Sequence, residues 1–430
     1  MKFSSLSLLG VYRGATMALM PLTPLLLAWR QRQGKEDGRR LAERSGVSHV
    51  QRPSGRLAWL HGASVGEAMA LLPLVAKLRQ QGIQVVVTTG TVTSARILEE
   101  RLPPGAIHQF VPLDVDRFVK RFLDHWRPDL ALFAESELWP NMLREIDTRN
   151  IPIVLVNARL SARSFERWKR LPATAAKLLS QIDLCLAQST ADGARFSDLG
   201  APRVVVAGNL KYDVSALPAD PAEVARMQTM IGSRPTWLAA STHEGEEKIA
   251  LAVHIELSKK ITNLVTVVAP RHAERGAQIA ALAAQHGVTP LLRSKGDAIP
   301  PNAQFYIADT MGEMGLLYRL SSIVFVGKSL AGAGGQNPIE PAKLGTAILH
   351  GPHVANFAEV YEELDRSKGA INVGDADTLA RTLLSLLADG ARLRTMVRNA
   401  GETVEQLGGA SDKIMLAIEP YLLQSQIGRS

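Results

Sequence analysis

Reactive side chains in this sequence gather where an apolar run gives way to polar residues. The run 56–61 leads into His61-Gly62-Ala63-Ser64-Val65-Gly66-Glu67, a turn of small residues followed by a helix with a carboxylate in its first turn. Small residues let a substrate approach the backbone closely. A carboxylate there can take a proton from an attacking hydroxyl, although the helix dipole alone also favours an acid at that position. The run 130–134 releases Glu135-Ser136-Glu137-Leu138-Trp139-Pro140. Two carboxylates so close together need a ligand, a base or a helix N-terminus; the plainer reading has Glu135 capping backbone amides and Glu137 solvated. Gly208-Asn209-Leu210-Lys211-Tyr212-Asp213 then places the cation Lys211 at another such end.

The second half offers Ser241-Thr242-His243-Glu244-Gly245-Glu246, Pro270-Arg271-His272 and a glycine-rich stretch from Ser329 through Gly332, Gly334 and Gly335 to Gln336-Asn337-Pro338-Ile339-Glu340-Pro341. A glycine-rich loop before a proline-initiated helix leaves backbone N–H groups for a phosphate. Its glycine spacing is wrong for a dinucleotide fingerprint, and Gly327-Lys328-Ser329 lacks the upstream glycine of a P-loop, which speaks against hydride transfer and NTP hydrolysis. Asp114-Val115-Asp116 resembles a metal-binding carboxylate pair, but it precedes an amphipathic helix and is read as a cap. No metal and no cofactor is expected. Arg159, Arg163, Arg167, Lys169 and Arg170 form a solvated face or a surface for lipid phosphates and an anionic bilayer.

The elements that must position these groups alternate between strand and helix. Strands are predicted at 56–61, 84–89, 130–134, 153–157, 184–187 and 204–207, the last three as near-continuous apolar runs covered on both faces of a parallel sheet. After a break at 214–234 the alternation restarts with strands at 236–240, 264–268, 288–292, 323–326 and 347–350, then helices from 376 onward. The fold class is α/β: two Rossmann-like doubly wound domains facing across a cleft, the GT-B architecture, with ligands beyond the carboxyl ends of the strands. The expected divisions are an anchor at 1–30, a first domain at 31–213, a linker at 214–234 and a second domain at 235–430.

A chain of 430 residues suits two such cores. Its net charge of +8 favours anionic partners, but the basic residues are dispersed and no nucleic-acid-binding motif accompanies them, so nucleic acid is not an expected partner. The single cysteine, Cys185, excludes an internal disulfide and reads as a small core residue. From Phe3 to Trp29 the only charge is Arg13, and Arg30, Arg32, Lys35, Arg39, Arg40 and Arg44 follow. An apolar segment with this flank predicts attachment to the inner membrane with the rest of the chain on the cytoplasmic side. Pro21 and Pro24 leave a half-inserted anchor as open as a span.

Taken together, the motifs at 61–67, 135–141, 208–213, 270–272, 335–341 and 351–353 resemble the Kdo (3-deoxy-D-manno-octulosonic acid) transferases of lipopolysaccharide assembly, from the anchor to the last helices. The resemblance implies transfer of Kdo from CMP-Kdo to a hydroxyl of a lipid A precursor, with inversion and without a metal. It implies Glu67 as general base, and Glu137 and Lys211 as groups stabilising the transition state. Pro270, Arg271, Gly312, Glu313, Met314, Asn337, Pro338, Ile339 and Glu340 would hold the CMP moiety. Two other readings share the fold: a different GT-B enzyme, such as a lipid-linked N-acetylglucosamine transferase or a nucleotide-sugar epimerase, and a non-catalytic membrane-tethered lipid-binding protein.

Overall fold

A computed structural model describes residues 8–213, 216–297, 299–300 and 304–427. Positions 1–7 of the expected anchor, 214 and 215 of the expected linker, and 298, 301–303 and 428–430 of the expected second domain lie outside the described residues.

The chain divides into two compact units, Met1–Val214 with Gly408–Ser430, and Ser215–Leu407. Among the described residues each unit is built on a seven-stranded sheet. The first comprises β1 (Leu57–His61), β2 (Gln84–Thr89), β3 (Ala106–Phe110), β4 (Leu130–Ala134), β5 (Ile153–Ala158), β6 (Leu184–Ala187) and β7 (Val204–Val206). They lie in the order β3-β2-β1-β4-β5-β6-β7, every described pair parallel. Winding therefore reverses between β1 and β4. The second sheet comprises β8 (Thr236–Thr242), β9 (Val265–Pro270), β10 (Pro290–Leu292), β11 (Phe305–Ile307), β12 (Ile323–Val326), β13 (Ala347–His350) and β14 (Ala370–Asn372). Its order, β10-β11-β9-β8-β12-β13-β14, is again parallel and reverses between β8 and β12.

Alternation along each strand feeds two cores per sheet, as a parallel sheet covered by helices requires. In β1, Ala58 and Leu60 join one cluster with helix Val65–Gln80, while Leu57 and Trp59 join another with helices Asp116–Trp126 and Pro140–Asp147. Cys185 is buried in the second cluster, and burial beside Asp192 pushes its thiol up to about 12.

Three expectations are corrected. The strand at 204–207 is an edge: Val205 and Val206 are 42% and 46% exposed, because β7 has a neighbour on one side only. The segment 216–234, expected as an interdomain linker with one short helical stretch before Gly232, has that helix but is part of the second unit. Helix Pro221–Ile231 belongs to the second unit, tied by Glu223 to Arg293 at 2.7 Å and by Gln228 to the Arg319 carbonyl at 3.1 Å. The last helix, Ala410–Ile427, packs Ala410, Ile414, Met415, Ile418 and Leu422 into the first unit's core rather than the second's. Asp213 fixes its start by accepting the N–H groups of Gly409, at 2.7 Å, and Ser411.

The amino-terminal run Leu8–Arg32 is the one described helix long and apolar enough to cross a membrane. It breaks at a 3-10 turn, Met20–Leu22, with Pro21 inside it. Leu19, Leu22, Leu25 and Trp29 are all more than half exposed. The run is not detached from the domain. Tyr12 donates to Asp114 Oδ2 at 3.0 Å, Arg13 lies 3.3 Å from Asp116, and Asn141 Nδ2 donates to Thr16 at 3.1 Å. The basic flank is also partly structural, since Arg44 is buried between Glu36 (2.8 Å) and the Gly90 carbonyl (2.7 Å).

Tyr12→Phe removes one donor from a buried carboxylate and should destabilise the first unit by about 1 kcal/mol. A urea midpoint equal to wild type, at equal slope, would show that this polar stripe does not hold the helix to the domain.

Candidate active site

At the first reversal point, β1 and β4 are neighbours and their connections leave toward opposite faces, which opens the crevice where α/β sheets take ligands. Both carboxylate motifs arrive here. Ser64 caps helix Val65–Gln80 by accepting the Glu67 N–H at 3.3 Å. Glu67 reaches back: Oε2 accepts the Ala63 N–H and Oε1 the Ser64 hydroxyl, each at 2.7 Å. This reciprocal arrangement is a variant of the capping box, with the Ala63 N–H in place of that of the N-cap residue itself. It leaves each oxygen a second lone pair, so capping and proton acceptance are compatible. Gly62 leaves little room for a side chain, because a Cβ on it would lie 3.0 Å from the Glu67 Cβ.

The carboxylates after β4 go to side chains, not to amides or solvent as the plainer reading had it. Glu135, at a left-handed φ of 53°, pairs with Lys211 Nζ at 3.1 Å. Glu137 accepts the Trp139 indole N–H at 2.6 Å and lies 3.4 Å from His61 Nε2. Burial raises the Glu137 pKa, but His61 and Trp139 outweigh it and hold the carboxyl below its usual range. Glu137 is therefore ionised at neutral pH. The structure thus links Lys211 to Glu135 and Glu137 to His61, a residue to which the sequence assigned no role.

Asn157, at the end of β5, is a further residue not singled out from sequence. It is 1% exposed with φ of 53°, and its Oδ1 accepts the Leu210 N–H at 2.9 Å, anchoring the turn that carries Lys211. A polar residue closing an apolar strand was the available signal.

Asp114 and Asp116 are both engaged by protein groups. Asp114 accepts the N–H groups of Asn141 and Met142 at 3.1 and 2.8 Å, so it caps helix Pro140–Asp147 and not the helix that follows it. Asp116 binds Arg144 at 2.5 Å and Lys120 at 2.9 Å. Among the described residues no group of three or more His, Cys, Asp or Glu side chains could hold a metal ion. Arg159, Arg163, Arg167, Lys169 and Arg170 are all exposed, with Glu166 as the acid near Lys169 at 3.6 Å.

In the second unit the expected donor residues lie at or after the ends of β9, β11 and β12, on either side of the reversal between β8 and β12. Pro270 closes β9, and Arg271 is exposed, its guanidinium without a partner among the described residues. Gly312 has φ of 84°. Glu313 is held by Arg293 at 2.5 Å, which keeps its carboxyl below the usual range. Met314 starts helix Met314–Tyr318. Asn337 accepts the Ile339 N–H at 3.0 Å, Pro338 precedes helix Ile339–Lys343, and Glu340 lies in its first turn. Burial lowers the pKa of His243, so a neutral imidazole accepts from Gln336 Nε2 at 3.0 Å. At the start of the glycine-rich loop Glu246 takes the N–H groups of Lys328, Ser329 and Leu330 at 2.7–3.0 Å, while those nearer the proline-initiated helix are not bound by it.

Residues 39–214 match the family described as 3-deoxy-D-manno-octulosonic-acid transferase (kdotransferase). The 3-deoxy-D-manno-octulosonic acid transferase of Haemophilus influenzae is 36% identical over 391 residues, covering 89% of this chain and 91% of that protein. Among solved structures, a glycosyltransferase of Rickettsia africae is 12% identical and covers 86% of this chain and 98% of its own, with a TM-score of 0.56. The UDP-GlcNAc 2-epimerase of Neisseria meningitidis, 15% identical, covers 86% and 100% with a TM-score of 0.55. The last two share the two-unit GT-B-like fold and nothing closer. From its match over nearly the whole length of the Haemophilus enzyme, this chain belongs to the 3-deoxy-D-manno-octulosonic acid transferases, which are glycosyltransferases.

Proposed function

We propose that the chain moves Kdo from CMP-Kdo onto a hydroxyl of a lipid A precursor in lipopolysaccharide synthesis, with inversion and without a metal. The observation that carries this reading is the convergence of Glu67 and Glu137 on one reversal point in a chain of this family. Glu67 is the general base that takes the acceptor proton. Departure of CMP leaves an oxocarbenium-like sugar, whose positive charge the ionised Glu137 stabilises, while Lys211 stabilises negative charge in the same transition state. In the second unit Pro270, Arg271, Gly312, Glu313, Met314 and the stretch from Asn337 to Glu340 hold CMP, with Arg271 meeting the leaving phosphate.

The acceptor is a phosphorylated lipid, and the exposed cations between Arg159 and Arg170 suit its phosphates. The exposed apolar face of Leu8–Arg32, beside exposed Arg32, Lys35 and Arg39, supports attachment at the cytoplasmic face of the inner membrane.

Glu67→Gln tests the base directly, because glutamine at this position still completes a capping box but accepts no proton at neutral pH. Its kcat should fall by roughly 10² to 10⁴ with CMP affinity unchanged. Normal turnover would remove Glu67 as the base. Activity should also survive EDTA, since Asp114 and Asp116 are already occupied by amides and cations. A strict need for added magnesium or manganese would restore them as ligands.

A further inference from the structure

Glu246 is 1% exposed, and no cation balances it among the described residues. A buried carboxylate is costly unless hydrogen bonds replace its water. Here backbone amides do so: Oε2 accepts the N–H groups of His243 and Lys328 at 2.9 and 2.7 Å, and Oε1 those of Ser329, Leu330 and Ala331 at 2.9, 3.0 and 3.5 Å. One side chain thereby fastens the connection after β8 to the glycine-rich connection after β12, its neighbour in the sheet.

The surrounding backbone is shaped to this contact. Gly327 has no room for a side chain, since a Cβ would lie 2.5 Å from the Ser241 carbonyl and 2.9 Å from Glu246 Oε2. Ser241 and Lys328 both hold left-handed φ angles, 52° and 59°. The loop then closes on itself: the Gly335 N–H donates to the Lys328 carbonyl at 2.8 Å, the Gln336 N–H to the Gly327 carbonyl at 3.1 Å, and the Tyr361 hydroxyl to the Gln336 carbonyl at 2.8 Å. Asn337, Pro338, Ile339 and Glu340 follow directly from this closed stem.

We propose that Glu246 is a positioning residue, a built-in anion that holds the stem of the donor loop in its binding shape before any nucleotide arrives. The proposal rests on the donor reading above. Without the carboxylate, successive N–H dipoles would point at one another across an empty space and the loop would have to be ordered at the ligand's expense. A loop ordered in advance binds more tightly for the same contacts.

Two measurements on the full-length, detergent-solubilised protein test this. In wild type without ligand, amide exchange at Lys328, Ser329 and Leu330 should already be slow and should change little when CMP is added. Fast exchange that slows only with CMP would overturn the proposal, because the ligand would then be ordering the stem. Glu246→Gln replaces one acceptor oxygen by an NH₂ that faces backbone donors. It should weaken CMP binding about tenfold or more by titration calorimetry, with the KM for the lipid acceptor unchanged. A variant with a lower melting temperature but wild-type CMP affinity would show that Glu246 only stabilises the fold, and would also overturn the proposal. If the variant does not fold, the exchange measurement on wild type decides. Failure of wild type to bind CMP is distinguishable from all of these: it would overturn the donor reading, and this proposal with it.

Discussion

A parallel sheet delivers the carboxyl ends of all its strands to one edge, and a reversal of winding sends two adjacent connections to opposite faces there. The candidate carboxylates of the first unit and the Glu246 contact of the second depend on that constraint, which is met twice. At β1 and β4 the reversal places the Glu67 turn beside the Glu135–Glu137 loop; at β8 and β12 it places the Glu246 turn beside the glycine-rich loop. Neighbouring strands fix the spacing, so residues about 70 to 80 positions apart come close together, as His61 and Glu137 do at 3.4 Å and Glu246 and Lys328 at 2.7 Å.

Holding polar groups at these edges strains the backbone. Glu135, Asn157, Ser241 and Lys328 all take left-handed φ angles between 52° and 59° at or just beyond strand ends. Each such residue costs on the order of 1–3 kcal/mol and persists only where surrounding contacts over-determine it. Those contacts are present: the Glu135 N–H bonds the Val156 carbonyl at 3.0 Å, Asn157 holds Leu210, and Lys328 donates to Glu246. The other non-glycine residues with positive φ among those described, such as Arg127 at the end of helix Asp116–Trp126, sit in ordinary turns and helix ends.

The sequence made the central strands readable because four to seven apolar residues in a row leave little alternative. It also pointed to Glu67, Glu137 and Lys211, because each follows such a run. Partners were less legible. Nothing local to Lys211 says that Glu135 receives it, and nothing local to Asp114 says that it caps a helix about 26 residues later. The strands β3, β11 and β14 escaped notice because β3 is mixed in polarity and the others are three residues long. The last helix was assigned to the wrong unit for a related reason: an apolar face shows that a helix packs, not which sheet receives it. Asp213, at the end of a recognised motif, was the residue that held the answer.

Which charges the protein satisfies internally also constrains what a ligand can meet. In the second unit, the amides of Lys328, Ser329 and Leu330 at the stem of the glycine-rich loop are committed to Glu246, and Glu313 is committed to Arg293. A carboxylate at the loop's stem would repel a second anion brought to the same place. Under the proposed function a donor phosphate is met by groups other than these stem amides, and Arg271, exposed just after β9 with its guanidinium unengaged among the described residues, is the cation proposed for it. Of the glycines here, Gly327 serves close packing against Glu246, since a Cβ on it would lie 2.9 Å from Oε2. Under the proposed function that arrangement suits a donor with one phosphate, because a single arginine can neutralise it without help from the stem amides.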